Sequence, residues 1–158
     1  MAASDDSKRG EKVATNRKAL HDYFVLDHLE AGIELQGTEV KSARACNVNL
    51  TGGFVKIEQG RMMLYGVHIA PYECGNQFNH EPTRPRQLLL HRREIARLDA
   101  KLAQKGLTLV PLSMYFGKRW AKVELGLCKG KQDADKRETV RRKEADREAQ
   151  KAIARAKY

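Results

Sequence analysis

Apolar residues along this chain fall into three patterns, and each predicts a different kind of element. In "GGFVKIEQGRMMLYGVHIA", Val55 and Ile57 alternate with Lys56 and Glu58, Gln59-Gly60 offers a turn, and Met63, Tyr65, Val67 and Ile69 continue at alternate positions. A period of two interrupted by a two-residue turn predicts a β-hairpin. "LTLVPLSMYFGKRWAKVELGLCKG" repeats the pattern, with Val110, Leu112 and Met114 on one face, a turn at Gly117-Lys118, and Ala121, Val123, Leu125 and Leu127 on the return strand. Pro111 has no N–H to give a ladder, so it is expected at an edge or a bulge.

Between and before these hairpins the period changes. "RREIARLDAKLAQKG" carries Ile95, Leu98 and Leu102 at i, i+3 and i+7 with Gly106 where a helix would stop, which predicts an amphipathic helix on the sheet. Its Arg93, Arg97, Lys101 and Lys105 recur at four-residue steps and read as a solvated face. "LLLH" predicts a short strand, and the proline-containing "APYECGNQFNHEPTRPRQ" an irregular segment. Upstream, "HDYFVLDHLEAGIEL" has the aromatic and β-branched density of a strand, and "GTEVKSARACN" the composition of a short helix after Gly37. The opening order is therefore expected to be strand, helix, strand. Short antiparallel strands in hairpins with an inserted helix predict a mainly β fold, an OB-fold-like antiparallel barrel with two or three added helices.

The third pattern is the absence of one. From Lys131 to Tyr158 there are ten Lys or Arg and six Asp or Glu, with only Val140, Ile153 and Tyr158 as sizeable apolar side chains. Such a segment packs no core of its own, and its partner is expected outside the chain. The chain thus divides into a disordered lead-in over residues 1–10, a barrel over 11–130 and a basic tail over 131–158. In the tail, Asp135 and Glu138 form an Asp-x-x-Glu capping variant that would start a helix at Lys136, and Glu138 to Arg142 is a favourable pair. Lys143, Arg147, Lys151 and Arg155 would follow along one slowly drifting stripe. A helix with no packed face is marginal alone, so folding on contact with a partner is expected.

Charge narrows the class of partner. Thirty Lys and Arg against 20 Asp and Glu give a net charge of +10, and both barrel and tail are basic. A field of that sign on a small chain favours nucleic acid over a membrane surface. No run approaches the roughly 20 apolar residues of a spanning helix, and the N-terminus lacks the apolar stretch of a signal peptide, so a cytoplasmic protein is expected. Cys46, Cys74 and Cys128 are odd in number and lack CxxC spacing, against a disulfide framework or a zinc site. None of the five histidines stands in metal-ligand spacing. Cys74 and His80, six apart in one loop, lack the orienting third group of a nucleophilic site. Phosphate-binding, dinucleotide and esterase motifs are missing. The chain reads as a binder, with no catalytic residue, cofactor or metal expected.

Candidate contacts cluster in two places. "NRKALHDYF" sets Asn16, Arg17 and Lys18 before the first long strand, beside His21 and Tyr23, which combines phosphate-binding groups with rings that stack. "PTRPRQLLLH" presents Arg84 and Arg86 in a loop stiffened by Pro82 and Pro85, which lowers the entropy lost on meeting a phosphate. Glu30 is harder to place. A carboxylate near RNA is repelled unless it accepts from a base amine or positions a cation.

Four stretches, "NRKALHDYFVLDHLEAGIELQGTEVKSARACN", "PTRPRQLLLHRREI", "WAKVELGLCKGK" and "DKRET", resemble the SmpB (SsrA-binding protein) family in unbroken order from about Glu11 to Arg142. The resemblance implies a non-enzymatic barrel that binds the tRNA-like domain of transfer-messenger RNA (tmRNA), as a monomer in a 1:1 complex, and enters stalled ribosomes in trans-translation. It implies RNA-binding roles for Asn16, Glu30 and Leu89, with His21 and Arg84 close by in matching motifs. Gly130 and Lys131 match the hinge-like start of the family's tail. Asp135, Lys136 and Arg137 match a triplet that acts on the ribosome, in the decoding site and empty message channel, with Arg141, Arg142, Lys143, Arg147 and Lys151 following. Many members carry His or Tyr before the triplet, where this chain has Ala134. The competing reading is a general single-strand-binding barrel or a ribosomal protein, which would bind unstructured oligonucleotides as well as a folded RNA.

Overall fold

A computed structural model describes residues 10–73, 79–104 and 106–156, the side chains of Asp133 and Ala134 excepted. Nine strands and four α-helices run along these residues: β1 (Lys12–Thr15), α1 (Arg17–Asp22), β2 (Tyr23–Ile33), α2 (Gly37–Arg44), β3 (Val48–Asn49), β4 (Phe54–Glu58), β5 (Arg61–Tyr65), β6 (His68–Ile69), β7 (Arg86–Leu89), α3 (Arg92–Leu102), β8 (Leu107–Phe116), β9 (Ala121–Gly130) and α4 (Asp133–Ala156). Strands pair in the order β1-β8-β4-β5-β7-β2-β9, and β8 also pairs with β9, so six strands close a ring with β1 attached outside it. Closure leaves the ring strands without a free edge, as expected for an OB-fold-like barrel. Leu64, Leu88, Leu109, Met114, Val123 and Leu125 fill its interior, with Ile95 and Leu98 of α3 packed against them.

The first hairpin is present, but its second strand has the opposite phase to the one expected. Its two-residue turn puts Ile57 opposite Met62 and Val55 opposite Leu64. Cross-strand partners share a face. Met62 and Leu64 are therefore buried, while Met63 and Tyr65 are only half-buried. Gly66, at φ 75°, then reverses the alternation, and Val67 and Ile69 are buried after it. In the second hairpin Ala121, Val123, Leu125 and Leu127 all enter the core as expected. Val110, Leu112 and Met114 do not share a face. The register shifts between Pro111 and Ser113, so Met114 joins the main core while Val110 and Leu112 pack with Ala19 and Cys128. Pro111 sits at that bulge, where its missing N–H costs no ladder bond.

Two elements at the start of the chain were not foreseen, β1 and the six-residue α1. The tail helix begins at Asp133 rather than Lys136. Asp135 is not its cap: its carboxylate accepts the Gln132 N–H at 3.4 Å, while the Gln132 carbonyl accepts the Lys136 N–H at 3.1 Å. The expected Arg142–Glu138 pair forms at 2.9 Å.

Candidate nucleic-acid interface

Asn16, expected on the RNA-facing surface, is a structural residue with its side chain inside. Its carbonyl accepts from Ala19 N–H at 3.1 Å and caps α1, and its amide donates to the Leu50 and Pro111 carbonyls at 3.2 and 2.9 Å. Only 2% of the residue is exposed, so no direct contact with a partner is open to it in this conformation. It holds α1 against the bulge of β8, and α1 in turn presents Arg17 and Lys18 to solvent.

The arginine loop, expected to face a phosphate, is likewise turned inward. Arg86 shares the inward side of β7 with Leu88, and its guanidinium meets Glu39 of α2 while donating to the Val67 and Pro82 carbonyls at 2.9 and 3.0 Å. Arg84 donates through Nε to the same carboxylate at 2.8 Å and also through Nη2. The Gln36 N–H completes the set at 3.0 Å. Burial pushes the Glu39 carboxyl up, but the hydrogen bonds from Arg84, Gln36 and Arg86 outweigh it and hold the group below its ordinary value. Burial also draws the Arg86 guanidinium down, yet an arginine stays protonated. Arg86 therefore offers nothing to an outside phosphate, and Arg84 remains only partly exposed. The triad ties α2, the 82–86 loop and β7 into one piece.

Glu30, by contrast, stands outside. It lies on the outer face of β2 directly opposite Glu124 of β9. Like charges in that position repel. Lys122 offsets the repulsion at 2.7 Å from Glu30, and Tyr115 donates its hydroxyl to the same carboxylate. His28 and the Ser113 hydroxyl meet Glu124 at 3.0 and 2.9 Å. Two residues along β2, Gly32 faces Leu89 of β7, and a Cβ at position 32 would come within 3.3 Å of the Leu89 Cβ. The bare glycine leaves room for Leu89 to stand up from the sheet, 47% exposed. Glu30, Leu89, His91, Trp120 and Lys122 line one groove of about 490 Å³. The resemblance led to Glu30 and Leu89; Trp120, Lys122, His91 and Tyr115 were missed. The signal for them was Trp120 lying between "GKR" and Lys122 in a turn.

A second surface forms where the tail leaves the barrel. The Lys131 N–H donates to the Asp22 carbonyl at 2.9 Å, and its ammonium reaches the Leu20 carbonyl, the Thr139 hydroxyl and the face of Phe24. Hydrogen bonding to His21 at 2.9 Å, with Lys136 nearby, holds the Asp22 carboxyl below the usual range. His21, Lys136, Arg137, Val140 and Arg141 line a shallow hollow there. Beyond it, Arg142, Lys143, Arg147 and Lys151 are exposed on α4. Gly130, at the end of β9, pairs with Tyr23, so it belongs to the barrel and the direction of the chain changes after it.

The thiol reading finds no support. Cys74 lies outside the described residues, and His80 is buried with Nε2 at 2.8 Å from the Ile69 carbonyl and Nδ1 at 3.0 Å from the Thr38 hydroxyl. Both ring nitrogens are engaged in structure. Burial pushes the Cys128 thiol up to about 11, which leaves it unreactive near neutral pH. Among the described residues no three His, Cys, Asp or Glu side chains converge on a metal-sized site. No helix among them is long and apolar enough to cross a membrane.

A family model described as SmpB protein matches residues 13–155. This chain belongs to the SmpB family. An SsrA-binding protein of Carboxydothermus hydrogenoformans is 58% identical over 146 residues, spanning 92% of this chain and 97% of the relative. One from Roseiflexus sp. (strain RS-1) is 55% identical over 97% of this chain and 96% of its own. Among solved structures, a chain described under "tmRNA-SmpB: a journey to the center of the bacterial ribosome" superposes with a TM-score of 0.66 at 52% identity, covering 82% of this chain and 94% of that one. Within this SmpB-family chain, the groove at Glu30 and the exposed length of α4 are separate surfaces on one body.

Proposed function

We propose that this protein binds the tRNA-like domain of tmRNA through its barrel and delivers it to stalled ribosomes for trans-translation, with α4 acting in the decoding site and empty message channel. The observation that carries this reading is the pairing of a groove with a helix that has almost nothing to pack against. Beyond its first two turns α4 turns every described side chain to solvent, including Ile153 at 60% exposure. In free solution such a helix gains little from tertiary packing. A phosphate-lined channel would supply the missing surroundings for Arg142, Lys143, Arg147 and Lys151. The barrel meanwhile carries Arg17 and Lys18 on α1, beside the root of the tail, and the Glu30–Leu89 groove apart from it. Two surfaces then serve two RNAs. The relatives' name, SsrA-binding protein, and the ribosomal setting of the solved neighbour support the assignment and disfavour a general single-strand binder.

The test has two arms. The full chain should prefer a tRNA-like tmRNA domain over an unstructured oligonucleotide of equal length across a salt series. Replacing Asp135, Lys136 and Arg137 together with Ala should leave that affinity unchanged and stop peptide tagging on stalled ribosomes. Equal affinity for both RNAs, or tagging that survives the triple replacement, would refute the corresponding half of the proposal.

A further inference from the structure

Trp120 is 65% exposed, more than any other large hydrophobic side chain described. Its backbone is nonetheless fixed, because its carbonyl accepts the Gly117 N–H at 2.8 Å and closes the β8–β9 turn. The exposure is therefore a property of a well-held turn and not of a loose end. The same turn displays Lys118 and Arg119, both exposed and without an ion pair among the described residues. The indole borders two grooves at once. On one side are Glu30, Leu89 and Lys122; on the other, Arg44, Phe116 and the turn itself. Arg44 is held over the Phe116 ring at 5.0 Å, which keeps a cation on that second wall.

A ring of this size left in water gives up a large hydrophobic gain, and a flat π-surface among cations is how proteins receive an unpaired base. Orientation follows from the charges. The Glu30 carboxylate accepts from base amines and repels phosphate, so the base edge turns toward it. The backbone of the same nucleotide then lies toward Lys118 and Arg119.

We propose that Trp120 is the stacking platform for one unpaired base of the bound RNA, with Glu30 on the amine edge of that base and Lys118 and Arg119 on its phosphates. The assignment rests on the RNA-binding reading of the groove and adds a residue and a class of nucleotide to it.

Trp120 is the only tryptophan in the chain, which gives stacking its own signal. Titrating the full-length protein with the tRNA-like domain of tmRNA should quench indole emission in step with binding measured independently by filter retention. Trp120→Ala should weaken that binding by about tenfold, within the range for losing one stacked base, and Trp120→Phe should stay within about threefold of the parent. Both variants should keep the parental melting curve, since the side chain lies outside the core. Parental affinity in Trp120→Ala together with unchanged emission on binding overturns the stacking assignment and leaves the RNA-binding reading standing; the indole would then face a protein surface. Failure of the parental protein to retain this RNA in preference to an unstructured oligonucleotide overturns both.

Discussion

The 82–86 loop and the Glu30 groove lie on neighbouring strands of one barrel, and they invert what their residue types suggest. The loop holds Arg84 between two prolines with Arg86 just after, the makings of a phosphate clamp, yet both cations turn to Glu39. The groove is built around a carboxylate, the group least suited to a polyanion, yet it is the one that faces outward. What separates them is where the nearest opposite charge falls. A buried acid draws its cations inward, because an unpaired buried carboxylate is far costlier than a phosphate contact forgone. Glu30, at the surface, needs only Lys122 and Tyr115 and keeps its exposure.

Removing a member of each region should break this comparison most visibly. Glu39→Ala leaves Arg86 charged and unpaired in the interior, and should cost about 3–5 kcal/mol in a urea-unfolding measurement. RNA affinity per folded molecule should change little. Acid should approach the same loss by another route. The folded Glu39 carboxyl lies below its ordinary value of 4.5, so its contribution is complete above that pH and fades as pH falls through the lower folded value. Unfolding curves between neutral pH and pH 3 should show this slope in the parent and a reduced one in Glu39→Gln. Asn16→Ala should come next, at about 2 kcal/mol, from a lost helix cap together with the loss of two buried hydrogen bonds to the Leu50 and Pro111 carbonyls. An unchanged melt would mean that its role is at the surface after all. Glu30→Ala should leave stability within about 0.5 kcal/mol, since it also relieves the repulsion with Glu124, while weakening tmRNA binding about tenfold. Smallest of all, Arg97→Ala on the solvated face of α3 should move stability by less than about 0.5 kcal/mol and leave binding alone.

Much of the barrel was legible because both hairpins and α3 advertise their period in the sequence. The errors lie where a single residue resets that period. Gly66, between β5 and β6, and the bulge at Pro111 within β8 each reset which side of the chain faces inward, and alternation read from one end carries the old phase past them. Elements as short as β1 and α1 have too few residues to show a period. Their position is fixed by Asn16 reaching Leu50 and Pro111, contacts that span 34 and 95 residues of sequence. The candidate site was legible only in part, for the same reason. Nothing local to "PTRPRQ" reveals a carboxylate 45 residues earlier. Trp120 is readable in principle, as a tryptophan in a cationic turn.

The register of β2 on β9 also works as a ruler. Lys122 stands at the groove and Gly130 at the root of the tail, with the two strands paired along the whole interval between them. Eight residues of strand set that interval at roughly 26 Å. On the proposed reading, the tail leaves for the second RNA from a point at a set offset from the groove, and adding or removing a pair of residues in each of the paired strands β2, β8 and β9 would move that point by about 7 Å.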